Sequence, residues 1–167
     1  MSRLTLIGMP GSGKSSVGKI LASRLGWNFI DTDKCMEERQ GVPLQTLIDR
    51  VGDGPFRRIE EQTILELVVA ERTVISTGGS VVYSDAAMER LASISTVVFL
   101  DADFEAIKEH IALESPRGIV GMAQGGLQEL FHERLPRYRH YATVIVHCFT
   151  ETPEEVATLV LSELAKK

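Results

Sequence analysis

The residues Gly8-Met9-Pro10-Gly11-Ser12-Gly13-Lys14-Ser15 fit the pattern G-x-x-x-x-G-K-[ST] and stand directly after an apolar run, Leu4-Thr5-Leu6-Ile7. Val17, Ile20, Leu21 and Leu25 follow at helical spacing. A buried strand, a glycine loop and a helix in that order commit the chain to a layered α/β plan. They also carry a chemistry. Glycines let backbone N–H groups converge on phosphate oxygens with no Cβ in the way. The helix N-terminus adds positive potential. In such a loop Lys14 reaches the β- and γ-phosphates, and the Ser15 hydroxyl ligates Mg²⁺. The motif points to a nucleoside triphosphate and is silent about what receives the phosphate.

The rest of the chain repeats the alternation of short apolar runs and longer helical stretches. Strands are expected at Leu4–Ile7, Asn28–Ile30, Thr73–Ser76, Thr96–Leu100 and Thr143–Val146. Helices are expected over Lys14–Leu25, over Lys34–Val51 with a break at Gly41-Val42-Pro43, and over Phe56–Ala70. In the last of these the apolar stripe would run Phe56, Ile59, Ile64, Leu67, Val68. Ser84 and Asp103 read as N-caps, and Thr152-Pro153-Glu154-Glu155 reads as a capping box with proline at the first helical position. Continuously apolar strands separated by helices predict a parallel sheet covered on both faces. One stretch breaks the pattern. Leu113 to Gly126 holds Pro116, Gly118, Gly121, Gly125 and Gly126 with little periodicity, and reads as a functional loop or a solvated connector.

At 167 residues the chain suits one domain, 1–167, large enough to bury a core without disulfides. No apolar run approaches the ~20 residues needed to span a bilayer. No small-residue cleavage site follows the first apolar stretch, so no signal peptide and no membrane partner are expected. With Lys+Arg 18 against Asp+Glu 23, the net charge is -5, which disfavours a generic nucleic-acid binder. Cys35 and Cys148 lie far apart and near no ligand-like pair, so packed thiols in a reducing cytoplasm are expected, with no zinc site.

Several residues qualify for an acceptor site. Asp31-Thr32-Asp33 follows the second strand, at the carboxyl end where ligands gather in parallel sheets. One carboxylate can sit near a metal through water and the other can take a hydroxyl proton, or either can simply cap a helix. Arg57 and Glu60 are three apart on one helix face. Arg57 can fork a substrate carboxylate, or the two can form an exposed ion pair. Gly78 and Gly79 permit close approach of a ligand or form a plain turn. Arg134, Arg137, Arg139 and His140 are a basic cluster in an acidic chain, equally readable as a solvated helix face.

Together these segments resemble the shikimate kinase family of P-loop small-molecule kinases. Asp31-Thr32-Asp33 is similar to its D-T-D, and Phe56-Arg57…Glu60 to its F-R-x-x-E. Thr77-Gly78-Gly79 resembles the start of its T-G-G-G, and Val97-Val98-Phe99-Leu100-Asp101 its fourth strand. Arg134-Leu135-Pro136-Arg137-Tyr138 with Tyr141-Ala142 resembles its R-x-P-x-Y…A. The resemblance implies a three-layer sandwich around a five-stranded parallel sheet of order 2-3-1-4-5. It implies a monomer with a mobile lid over about 113–126, using ATP and Mg²⁺ to phosphorylate the 3-hydroxyl of shikimate. Gly11, Ser12, Gly13, Lys14, Ser15 and Ser16 would hold the phosphates, with Ser15 and Asp31 at the metal. Asp33 would serve as base or orienter, and Arg57 and Arg134 would clamp the acceptor carboxylate beside Gly78 and Gly79. Arg117 would be the lid arginine, and His110 and Pro153 would flank the adenine. Three residues depart from the family pattern. Ser80 replaces the third glycine of T-G-G-G, Gly118 follows the lid arginine where proline is usual, and His110 replaces an arginine. A paralogue acting on another small carboxylated or polyol acceptor is the alternative, and a nucleotide-sensing module without phosphotransfer a more distant one.

Overall fold

The computed structural model describes residues 2–113 and 119–167. In chain order the elements are β1 (Arg3–Ile7), α1 (Lys14–Leu25), β2 (Asn28–Asp31), α2 (Thr32–Gln40), α3 (Leu44–Val51), α4 (Asp53–Leu65) and β3 (Thr73–Ser76). A short 3₁₀ segment, Gly79–Tyr83, then leads to α5 (Asp85–Ile94), β4 (Thr96–Ala102), α6 (Phe104–Leu113), α7 (Met122–Tyr141), β5 (Val144–Cys148) and α8 (Pro153–Ala165). The strands form one parallel sheet in the order β2-β3-β1-β4-β5. Leu4 of β1 stands opposite both Val74 of β3 and Thr96 of β4, so the strand that feeds the glycine loop is the middle of the sheet.

The period-two alternation of strand side chains divides the core between two faces. Leu4 and Leu6 point toward Val17 and Leu21 of α1 and toward Val156 and Val160 of α8. Ile7, Ile75, Val97 and Phe99 point to the other face, against Ile64 of α4, Leu91 of α5, Ile107 of α6 and Tyr138 of α7. These layers are the three-layer sandwich the resemblance implied. A smaller cluster of Met36, Leu47, Phe56 and Val120 ties α2, α3 and α4 together beside the sheet. Neither Cys35 nor Cys148 forms a disulfide.

Three expectations are corrected. The helix expected over Phe56–Ala70 runs Asp53–Leu65, and Val68 lies 92% exposed rather than on the stripe. The Leu67 N–H bonds to Ile64 O and tightens the last turn, after which β-branched Val68 and Val69 leave the helix. Arg72 then bonds Ser2 and Asn28 through its backbone and steers the chain into β3. β5 is covered on one face only. Val144, Val146 and Cys148 are buried, whereas Ile145 and His147 face outward. The segment expected to lack regular structure is helical from Met122, with a break at Gly126 (φ 80, ψ 179) inside α7. Met122, Ala123 and Gln124 are sound helix formers whose signal the neighbouring glycines obscure. The break at Gly41–Pro43 and all three expected caps are present.

Candidate active site

The loop after β1, the β2–α2 junction and the turn after β3 converge at the carboxyl end of the sheet. Their cleft, open to solvent and of about 760 Å³, is lined by Pro10, Gly11, Gly13, Lys14, Ser15 and Ser16 on one side. Asp33, Phe56, Thr77, Gly78, Gly79, Ser80, Ile119, Val120 and Arg134 line the other. Gly13 caps α1 with φ 84, a left-handed conformation that turns the loop over the helix N-terminus. Lys14 is buried and donates to Gly8 O at 2.9 Å and Met9 O at 2.8 Å. The buried Ser12 Oγ has no hydrogen-bond partner among the described residues. A cradle of amides around a buried ammonium and an orphaned hydroxyl suits a phosphate chain.

Asp31 caps α2 and also reaches the phosphate loop. Its Oδ1 accepts the Asp33 N–H at 3.0 Å and caps α2, while its Oδ2 accepts the Ser15 hydroxyl at 2.7 Å. The two hard oxygens therefore stand side by side at the mouth of the phosphate loop. One carboxylate and one hydroxyl match Mg²⁺, which keeps its waters and takes substrate phosphates rather than a full protein cage.

The acceptor side is more tightly packed. A Cβ on Gly78 would lie 2.6 Å from Glu60 Oε1 and 2.7 Å from Asp33 Oδ1. A Cβ on Gly79 would lie 2.7 Å from Pro10 Cδ and 2.9 Å from Arg134 Nη1. The two glycines are thus fixed by close approach of the groups around them, not by a plain turn. Arg134 is 1% exposed, so the solvated-face reading fails for it. Its Nη2 donates to Val120 O at 2.7 Å and its Nε to Tyr83 Oη at 3.3 Å.

The structure does not bring every expected residue into the cleft. Arg57 stacks on the Tyr83 ring, its guanidinium carbon 3.9 Å from the centroid, and lines a neighbouring depression with Arg58 and Arg137. Its Nε is buried with no hydrogen-bond partner among the described residues. Nor do Arg57 and Glu60 form the exposed ion pair: Glu60 is 3% exposed and accepts from the Ser80 hydroxyl. Burial pushes the Glu60 carboxyl up to about 7, against the pull of the Ser80 hydrogen bond, with Asp33 adding to the rise. His110 lies on α6 with Nδ1 2.9 Å from Gly11 O, exposed beside the phosphate loop. Pro153 is exposed at the first position of α8, outside the cleft lining. Arg117 lies outside the described residues.

Tyr83 lines the depression beside the cleft, and no sequence signal marked it. Its ring faces Arg57, Arg134 and Arg137, and its hydroxyl donates to Glu133 Oε1 at 2.6 Å. Burial raises its phenol above the ordinary value, and the Glu133 bond adds to that. Tyr138 is wholly buried and donates to Gly79 O at 2.7 Å, which fixes the glycine turn from behind.

The family model for shikimate kinase matches residues 10–165. The chain is 43% identical over 159 residues to a shikimate kinase from Paracidovorax citrulli, covering 93% of this chain and 86% of that protein. It is 34% identical to one from Thermobifida fusca, covering 95% and 92%. Among solved structures, a shikimate kinase from Acinetobacter baumannii in complex with shikimate superposes with a TM-score of 0.89 at 26% identity, over 99% of this chain and 94% of that one.

Proposed function

The chain belongs to the shikimate kinase family, and on that premise we propose how its residues transfer the γ-phosphoryl group of ATP to the 3-hydroxyl of shikimate. The observation that carries the reading is one cleft with a phosphate cradle on one wall and Asp33, Gly78, Gly79 and Arg134 on the other.

The amides from Gly11 to Ser16 hold the triphosphate, and Lys14 turns from the carbonyls of Gly8 and Met9 to its outer phosphates. Ser15, and Asp31 through water, would hold Mg²⁺, whose charge would offset that of the triphosphate. Arg134 forks the shikimate carboxylate, and Arg57 joins it by rotating off the Tyr83 ring. These contacts bring the 3-hydroxyl to Asp33. The hydroxyl oxygen attacks the γ-phosphorus, the bond to the bridging oxygen of ADP breaks, and Asp33 takes the hydroxyl proton. Positioning and charge stabilisation supply most of the acceleration. By resemblance alone, Arg117 steadies the charge on the moving group, and the lid over about 113–126 excludes water. His110 and Pro153 are assigned to the adenine on the same ground. The working unit is a single chain in the cytoplasm, with no nucleic-acid partner.

Incubation with ATP, Mg²⁺ and shikimate gives ADP release that depends on shikimate and matches phosphorylated product one for one. Release indifferent to shikimate, or stimulated by another hydroxy acid in its place, overturns the acceptor assignment.

A further inference from the structure

Three guanidinium groups gather around one ring on the outer side of the acceptor wall. The Tyr83 centroid lies 3.9 Å from the guanidinium carbon of Arg57, 4.9 Å from that of Arg137 and 5.2 Å from that of Arg134. Arg134 already donates to Val120 O. Arg57 and Arg137 instead open, together with Arg58, into a depression of about 640 Å³. The depression and the cleft share Ser80 as a common wall. Among the described residues, none of Arg57, Arg58 and Arg137 has an ion-pair partner. The one carboxylate in the lining, Glu61, accepts the Ser84 hydroxyl, and Glu133 beyond it accepts that of Tyr83. Like charges this close repel, and a ring face offsets only part of that.

We propose that this depression is a second anion site, one that takes a phosphate dianion, and that its occupant antagonises the acceptor by holding Arg57 on the Tyr83 side. The coupling rests on the reading of Arg57 as a clamp for the shikimate carboxylate. Arg57 lines the depression and not the cleft, so it reaches that carboxylate only by leaving the ring. An anion forked by Arg57, Arg58 and Arg137 stabilises the arginine where it now stands. By linkage, acceptor and anion weaken one another by the same factor. Charge and shape select phosphate over carboxylate. Three arginines against one glutamate leave two positive charges in the lining, which a dianion matches. A tetrahedral group also offers oxygens to forks arriving from three residues, whereas a planar carboxylate fills one fork.

Binding is read first, with the protein saturated in Mg²⁺-ADP so that the phosphate loop is filled. Inorganic phosphate then shifts the ¹⁵N Nε–Hε resonances of Arg57 and Arg137, and shikimate reverses the Arg57 shift. In turnover at constant ionic strength, about 10 mM phosphate raises the shikimate KM about threefold and leaves kcat and the ATP KM within about 1.5-fold. The double variant Arg58→Gln, Arg137→Gln changes two exposed residues. It keeps the phosphate-free shikimate KM within about twofold and loses the phosphate effect. Glycerol 3-phosphate is run beside inorganic phosphate, and whichever acts at the lower concentration identifies a phosphate monoester or the free ion as the occupant. Unmoved Arg57 and Arg137 resonances overturn the proposal. So does a rise in the ATP KM instead of the shikimate KM, which places the ion on the phosphate loop. An undiminished effect in the double variant does the same, since it places the ion on Arg134. The resonance shift needs no turnover. A protein that does not use shikimate shows the shift without shikimate-dependent ADP release, so the two failures are told apart.

Discussion

At the scale of single residues, burial decided what spacing left open. Arg134, Arg137 and Arg139 look alike in sequence, yet Arg134 is buried while the other two are exposed. A guanidinium there has buried partners to satisfy. Arg134→Ala leaves Val120 O without its donor and empties the volume beside Gly79, so a urea-denaturation loss of about 2–3 kcal/mol is expected. The same variant raises the shikimate KM at least about tenfold and leaves the ATP KM within about twofold, as steady-state kinetics will show. Equal loss of both would remove Arg134 from the acceptor wall. Glu60 makes the opposite lesson. Its i,i+3 spacing from Arg57 suggested an exposed pair, but no single-sequence signal reveals that Ser80, twenty positions on, reaches it. Because its folded carboxyl sits near 7 against 4.5 for the free group, the folded state binds more protons between those values. Its unfavourable contribution therefore grows as pH rises from 4.5 to 7 and is complete above that. Glu60→Gln removes the charge, so its melting temperature should exceed that of the parent at pH 8, with the difference shrinking toward pH 5.

At the scale of elements, the strands and caps were legible because their signals are local. β1 and β4 are apolar runs bounded by turn residues, and α8 announces its start with Thr152, Pro153 and Glu155. The Thr152 hydroxyl accepts the Glu155 N–H at 3.3 Å, and Glu155 Oε2 accepts the Thr152 N–H at 2.7 Å. Thr152→Ala should cost about 1 kcal/mol by chemical denaturation and leave both KM values unchanged. A cost near zero would mean that packing of Val156 and Val160 alone sets the helix start. What was not legible depended on tertiary partners. The early end of α4 follows from backbone bonds that Arg72 makes to residues 2 and 28. The position of Arg57 on Tyr83 joins α4 to the 3₁₀ segment across 26 residues of chain. Neither leaves a periodic trace. The helical start of α7 is hidden for another reason: two glycines, one of them at the break, interrupt the pattern.

At the scale of the whole molecule, the sheet order explains why one cleft has two chemically distinct walls. β1 lies between β3 and β4, so the phosphate loop opens at the centre of the carboxyl edge. The β2–α2 junction and the turn after β3 flank it on one side and carry Asp31, Asp33, Gly78 and Gly79. The phosphate wall belongs to β1 and α1, whereas the acceptor wall belongs to α2, α4, the 3₁₀ segment and α7. Walls built from separate elements can be loaded separately, and ligand-linked stability reads each load. A ligand that binds the folded state alone at a hundred times its Kd stabilises by about 2.7 kcal/mol, whichever wall it uses. In the parent, Mg²⁺-ATP and shikimate should each raise the melting temperature by several degrees. Lys14→Ala lowers the ligand-free melting temperature slightly, because its bonds to Gly8 O and Met9 O go with it. It should abolish most of the ATP-dependent rise while the shikimate-dependent rise persists. Loss of both rises would mean that the phosphate loop holds the acceptor wall in place, and the two-wall division of the cleft would fail.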